Sequence, residues 1–326
     1  MNLRVLSGAD VRRLLPMRKA IELMREAFGQ LASGAATVPV RTRIEAAETG
    51  CQALFMPSYL PAQGQVGLKV VTVQPANATR GRPTIHGLML VLDAATGQPQ
   101  ALLDAEALTA LRTGAASGLA TDLLARPEAR VAAVIGAGGQ AAAQLEAVCA
   151  VRAIERAYVF SRTAARAERQ AAAMTERLGL PVTAPATRDR LREADVLCTA
   201  TTATTPVFGP DEVRAGVHIN GIGAYRPDMA EVPPAVVQAA TVVVDHRAAC
   251  LAEAGDLIQP LRAGLIDEAH IQAELGEVVL GQHPGRTDPG AITFFKSVGN
   301  AVQDLAAAGY VVRCAEAEEA GQPIRW

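Results

Sequence analysis

At 326 residues the chain is long enough for two domains of ordinary size. It is 50% hydrophobic and 20% charged with a net charge of −2, the balance of a soluble globular protein, and it carries no signature of nucleic-acid binding. No run approaches the ~18 apolar residues of a membrane span and residues 1–4 lack a signal-peptide core, so a cytoplasmic protein with no membrane partner is expected.

Aromatics make up only 3%, so core volume must come from Ala, Val and Leu. Cys51, Cys149, Cys198, Cys250 and Cys314 are far apart and form no C-x-x-C pair, which supports neither a disulfide framework nor a zinc site. Cys149 and Cys198 fall on apolar stretches and read as buried thiols.

The chain opens with a predicted helix over 7–15, capped by Ser7 or Asp10. A second runs over 17–33, with Ile21, Met24, Ala27, Phe28 and Leu31 on one face. Short strands follow at 38–44, 51–56, 66–74 and 87–93, with Ala95-Thr96-Gly97-Gln98 as a hairpin turn. This is an antiparallel α+β pattern. The texture changes near residue 118. From about 120 to 291, strands at 131–135, 156–160, 181–183, 195–199, 217–220 and 241–245 alternate with helices, among them 141–151 and 163–178, the latter starting at an ST-type cap. Such alternation requires right-handed crossovers and a doubly wound, Rossmann-type parallel sheet. A last helical pattern, 294–311, follows the completed sheet and is expected to return to the first domain. The expected division is an α+β domain of residues 1–118 with 294–326 and a Rossmann-type α/β domain of 119–293.

The strand at 131–135 runs into Gly136-Ala137-Gly138-Gly139-Gln140-Ala141. G-x-G-x-x-A is weak alone, and an incidental glycine-rich loop is the alternative. Here a β-branched strand precedes it and an Ala-rich helical pattern follows, the context the motif requires. Gly136 allows the tight turn, Gly138 removes a Cβ that would block a pyrophosphate, and Ala141 lets helix pack closely on strand. The next strand ends on Ser161-Arg162-Thr163, where an NAD site usually places an acid for the ribose 2′-hydroxyl. Ser161 can donate to a 2′-phosphate and Arg162 can pair with it while stacking on adenine. The bland alternative is a solvated arginine opening a helix. NADP(H) is therefore preferred over NAD(H). Thr199-Ala200-Thr201-Thr202 and Gly221-Ile222-Gly223-Ala224, at later strand ends, are candidate lips of the same site.

Three groups of cations stand in apolar surroundings in the first half. Arg41 and Arg43 alternate along the 38–44 strand, Lys69 is the only charge in 66–71, and Arg112 lies in an otherwise uncharged helix, 108–117. A buried, unpaired cation is costly, so each needs an anionic partner. A substrate carboxylate gripped by arginine would serve; a structural ion pair or a snorkelling side chain is the alternative. The lack of neighbouring acids tilts the reading toward an anion site. Asp228, in Tyr225-Arg226-Pro227-Asp228, follows a strand end and is a candidate proton donor or acceptor, or else the N-cap of a short helix after Pro227. The five histidines are scattered and read as structural, with His86 the one to watch.

At these residues the chain resembles the ornithine cyclodeaminase/μ-crystallin family over nearly its full length. The strings are Met56-Pro57, Gly67-Leu68-Lys69-Val70, Leu108-Thr109-Ala110-Leu111-Arg112-Thr113-Gly114-Ala115, the glycine turn, Val217-His218-Ile219-Asn220, Ala224-Tyr225-Arg226-Pro227-Asp228, Ala273-Glu274-Leu275-Gly276-Glu277-Val278 and Phe295-Lys296-Ser297-Val298-Gly299. The resemblance implies that Arg41 or Arg43, Lys69 and Arg112 bind a substrate α-carboxylate and that Asp228 handles a proton. It places Gly136, Gly138, Gly139, Gln140, Ala141, Ser161, Arg162 and Thr163 on the cofactor and adds Thr84, Thr201 and Ser297. It also implies a homodimer built through the first domain's sheet.

Cyclodeaminases of the family resemble one another in a Glu two residues before Met-Pro, which can hold a distal ammonium, and in an acid after the second strand. Here stand Leu54 and Ser161-Arg162. Ketimine reductases of the family carry a similar Arg-Thr pair and Arg-Pro-Asp string. The resemblance therefore points to NADPH-dependent reduction of a cyclic imino acid, Δ1-pyrroline-2-carboxylate or Δ1-piperideine-2-carboxylate, to L-proline or L-pipecolate. The alternatives are ornithine cyclodeaminase, an L-alanine-type dehydrogenase, and a nucleotide-dependent small-molecule binding protein.

Overall fold

The computed structural model describes residues 2–325; Met1 and Trp326, the ends of the expected α+β domain, lie outside them. The chain divides into two compact units, one running to Arg112 and resuming at Asn300, the other Thr113–Gly299.

The first unit opens with β1 (Asn2–Leu6), α1 (Gly8–Leu14) and α2 (Met17–Ala32). Ser7 and Asp10 share the cap of α1: the Asp10 N–H donates to Ser7 Oγ at 3.2 Å, and the Ser7 N–H donates to the Asp10 carboxylate at 2.9 Å. Then come β2 (Thr42–Ala46), β3 (Cys51–Leu60), β4 (Gln65–Val73), β5 (Ile85–Asp93), β6 (Pro99–Asp104) and α3 (Ala105–Leu124). The strand expected at 38–44 begins only at Thr42. Pro39 lacks the N–H a ladder needs, and Val40 is 91% exposed. Arg41 therefore precedes the strand and Arg43 lies within it. The hairpin turn expected at 95–98 lies between β5 and β6, with Asp93 Oδ1 accepting from the Ala95 and Thr96 N–H groups.

The second unit alternates as expected: β7 (Val131–Ile135), α4 (Ala141–Val151), β8 (Arg156–Phe160), α5 (Ala164–Leu178), β9 (Val182–Thr183), β10 (Val196–Thr199), β11 (His218–Gly221), α6 (Pro234–Ala239), β12 (Ala240–Val244), α7 (Arg247–Glu253), α8 (Gly255–Arg262), β13 (Ile271–Glu274), α9 (Leu275–Val279) and β14 (Ile292–Lys296). Its sheet has the order β13-β12-β14-β11-β10-β7-β8-β9, and every pairing is parallel. The order reverses between β7 and β10, the switch point where such sheets bind ligands. Thr163 caps α5 by position alone; its side chain makes no capping bond, and its N–H donates to Ser161 Oγ at 3.2 Å.

Residues 292–296 are a correction. The sequence reading starts a helix at Phe294, but Phe294 and Phe295 belong to β14, which lies between β12 and β11. β14 reads Ile-Thr-Phe-Phe-Lys and is covered on both faces, so it shows no apolar/polar alternation to mark it as a strand. The helix starts after Gly299, whose φ of +83° ends the preceding extended chain.

The chain then returns to the first unit with α10 (Ala301–Ala317), capped by Asn300, whose Oδ1 accepts from the Val302 N–H at 3.0 Å, and β15 (Gln322–Arg325). α10 packs against α2, β3 and β4. The first unit's sheet has the order β15-β1-β6-β5-β4-β3-β2, antiparallel except where β1 joins β6. Among the described residues no helix is long and apolar enough to cross a membrane. Because β14 is paired on both edges and buried, its amides should be among the slowest to exchange with deuterium in the native state, and those of the exposed β2 among the fastest. Rapid exchange at Phe294 and Phe295 would remove β14 from the sheet.

Candidate active site

The register of the first unit's sheet decides which side chains converge. Met56 stands opposite Lys69 and Lys69 opposite Met89; in the next row Arg43 stands opposite Leu54 and Leu54 opposite Val71. Residues opposed across a ladder share a face, as do residues two apart on a strand. Arg43, Leu54 and Lys69 therefore share one face, and α10 covers it. Gly67 lies on that face too, where a Cβ would stand 2.7 Å from Leu305 of α10.

The cations are buried, as the sequence reading expects, but they have an acid between them. Lys69 Nζ lies 2.7 Å from Asp304 Oδ2; Arg112 Nε donates to Asp304 Oδ1 at 2.8 Å and Nη1 donates to Gln303 Oε1 at 2.5 Å. Lys69, Arg112 and Asp304 are 2, 5 and 0% exposed. The expectation of cations without a neighbouring acid is thus overturned, because Asp304 is 192 residues from Arg112 in the chain. Two cations against one carboxylate still leave a buried positive charge in excess, which an anionic ligand would neutralise. Burial pulls the Lys69 ammonium down to about 8; Asp304 opposes the fall, and the charges of Arg112 and Arg41 deepen it. Arg41 thus lies within electrostatic reach of Lys69, while Arg43 is exposed on β2.

In the second unit, Gly136 ends β7 with φ +125°, and a Cβ there would collide with the Ala200 carbonyl. No packing reason excludes side chains at Gly138 or Gly139, since nothing lies within 4 Å of where their Cβ atoms would stand. That open space beside the start of α4 is a cradle a phosphate can enter and a side chain would fill. Ala141 is fully buried at the first turn, and Gln140 holds the N-cap position without a side-chain cap bond. These residues fit a pyrophosphate. After β8, Ser161 Oγ accepts from the Thr163 N–H, which leaves its own proton free to donate. Arg162 is exposed and makes no ion pair among the described residues. Next to the glycine turn, Ala137, Arg166, Arg169 and Gln170 line an open hollow of about 270 Å³.

The Thr201 N–H donates to Glu231 Oε1 at 2.6 Å, just past β10. Ser297 is buried and donates its hydroxyl proton to Asp245 Oδ2 at 2.7 Å, so only its lone pairs remain for a ligand. Thr84 is half-buried in the first unit, its carbonyl accepting from the Gln74 N–H at 2.7 Å. His86 is exposed on β5. Asp228 is exposed and paired twice with Arg226, at 3.0 Å from both Nε and Nη2, and this contact holds its carboxyl below the usual range. No helix follows Pro227, so the N-cap alternative is overturned; α6 begins at Pro234. Cys198 is buried and Cys149 half-buried; burial pushes their thiols up to about 12 and about 11.

Sequence reasoning missed Asp304 and Gln303. The available signal was a polar pair early in an otherwise Ala-rich helix.

A glycine turn at the switch point of a doubly wound parallel sheet marks the class of dinucleotide-dependent enzymes. The narrower assignment comes from kinship. The profile of the Ornithine cyclodeaminase/mu-crystallin family matches residues 1–319, and the chain belongs to that family. It is 40% identical over 324 residues, 99% of both chains, to Delta(1)-pyrroline-2-carboxylate reductase of Bacillus cereus. Among solved structures it resembles Thermococcus litoralis Delta(1)-pyrroline-2-carboxylate reductase in complex with NADH and L-proline, at 40% identity and TM-score 0.94, covering 98% of this chain and 100% of that one. It also resembles an archaeal alanine dehydrogenase dimer with bound NAD, at 33% identity and TM-score 0.93 with all of both chains covered. The protein is a nicotinamide-dependent oxidoreductase.

Titration of Lys69, followed by NMR of the side chain, should show a midpoint near 8. In Asp304→Asn the midpoint should fall further, because the neighbouring negative charge that favours the ammonium is gone. A midpoint at the ordinary lysine value of ~10.4 would contradict the buried, crowded site.

Proposed function

We propose that the protein reduces a cyclic imino acid, Δ1-pyrroline-2-carboxylate or Δ1-piperideine-2-carboxylate, to L-proline or L-pipecolate, with NADP(H) preferred and NAD(H) as the alternative cofactor. The observation that carries this reading is the buried excess positive charge at Lys69, Arg112 and Asp304 with an apolar Leu54 on the same sheet face. Such a site favours an α-carboxylate, and its acid, Asp304, is already held by two cations, which argues against ornithine's distal ammonium.

In this reading the first unit binds substrate and the second binds cofactor. Lys69, Arg112 and Arg41 hold the carboxylate and so orient C2, a contribution worth several kcal/mol in general. The bound reduced nicotinamide supplies a hydride to C2 of the protonated C=N bond. Asp228, kept ionised by its Arg226 contact, stabilises the iminium as a carboxylate and accepts or returns the nitrogen proton. Gly136 to Ala141 seat the pyrophosphate. Ser161, with a free hydroxyl proton, and Arg162, with no carboxylate partner, support 2′-phosphate binding. A homodimer through the sheet face opposite α10 is supported by Ile44, Val66 and Leu88, which that face leaves 56, 36 and 46% exposed.

Likeness to the alanine dehydrogenase favours one second reading, reductive amination of an open-chain 2-oxo acid; ammonia dependence of NAD(P)H oxidation separates the two. Steady-state assays with both cyclic imines and both cofactors test the first. Arg162→Ala should raise KM for NADPH about tenfold or more and leave KM for NADH within about twofold. Equal effects on both would remove Arg162 from the 2′-phosphate. Asp228→Asn should lower kcat by about a hundredfold; unchanged turnover would take Asp228 out of the reaction.

A further inference from the structure

Glu231 is fully buried in the second unit, and the roles above make no use of it. Its carboxylate gathers donors from two loops. Oε1 accepts from the Thr201 N–H at 2.6 Å; Oε2 accepts from the Gly223 N–H at 2.6 Å and from the Thr199 hydroxyl at 3.0 Å. Thr199 closes β10 and Gly223 stands just past β11, so one side chain ties together the carboxyl ends of adjacent strands. A Cβ on Gly223 would lie 2.5 Å from Glu231 Oε1 and would collide with the Thr201 carbonyl, so the loops meet backbone to backbone.

The clamp is itself held. The Glu231 and Val232 N–H groups donate to Asp256 Oδ1 at 2.6 and 3.0 Å, and Lys296 Nζ, at the end of β14, pairs with Asp256 Oδ2 at 2.9 Å with both side chains fully buried. Gly255 packs so tightly on the Met229 carbonyl that no Cβ would fit. The start of α8 therefore fixes the segment that carries Asp228. Burial pushes the Glu231 carboxyl up, with Lys296 opposing and Asp256 adding to the rise. An apolar side chain would fill this volume at lower cost, so the carboxylate is explained by the loop N–H groups it gathers.

β10 and β11 lie across the switch point from β8, on the side of the sheet that takes the second nucleotide of a dinucleotide. We propose that Glu231 is a positioning residue for the nicotinamide half of the cofactor, fixing the loops after β10 and β11 as one rigid surface. The inference rests on the dinucleotide reading of this site and is independent of the substrate.

The test compares binding of NADPH with binding of 2′-phospho-ADP-ribose, which lacks the nicotinamide, in wild type, Glu231→Gln and Thr199→Val. Glutamine keeps the shape but turns an amide NH2 toward a backbone N–H. It should weaken NADPH about tenfold or more and the fragment less than about twofold. Thr199→Val, which removes one of the three donors, should shift NADPH alone by about two- to fivefold. Equal loss for both ligands, or no loss for either, in a folded variant overturns the proposal; if Glu231→Gln does not fold, Thr199→Val decides by the same comparison. A wild type that binds neither NADPH nor NADH sinks the dinucleotide reading itself; one that binds NADH alone is tested by the same comparison with NADH and ADP-ribose. A wild type that binds NADPH but leaves the imines unreduced sinks only the substrate reading.

Discussion

A single buried carboxylate, Asp304, sets the character of the first unit. Lys69 and Arg112 could not both be ionised in a dry interior without it, because repulsion and lost hydration would drive the lysine neutral. With it, the pair is retained and one positive charge is left over. That surplus is a charge an anionic ligand would neutralise. The fold makes the arrangement by laying α10 across the sheet face where β4 presents Lys69, with Gly67 opening room for Leu305.

The sequence was most legible where local pattern and global fold agree. β7, β8 and α4 match their predicted limits because a short apolar strand, a glycine turn and an Ala-rich helix form one local unit. It was least legible at β14, where Ile-Thr-Phe-Phe-Lys shows no period-2 alternation and only the neighbouring strands decide. The cations at Lys69 and Arg112 stood out because they interrupt apolar elements. Their partner did not, since Asp304 reaches them only through the return of α10. Glu231 was hidden likewise: its donors Thr199, Thr201 and Gly223 come from separate loops.

The two units hold their polar groups by different physical rules. In the second unit they are backbone: a glycine turn, open Cβ positions, and loop N–H groups that donate to Glu231. In the first unit they are charged side chains, with Asp304 between two buried cations and Leu54 on the same sheet face. Departures from the cyclodeaminase pattern occur in both units, Leu54 in one and Ser161-Arg162 in the other. Both departures are grounds for the proposed reduction of a substrate without a distal charge.

Net reduction is the claim on which this account turns, and isotope transfer tests it most directly. The protein is incubated with a cyclic imino acid and NADPH carrying deuterium at both C4 positions of the reduced nicotinamide, and the product is read by mass spectrometry and NMR. The account predicts one deuterium at the α-carbon of L-proline or L-pipecolate for each NADPH consumed. Formation of proline and ammonia from ornithine with no net cofactor oxidation, and no deuterium passed from NADPH to the imine, would contradict it.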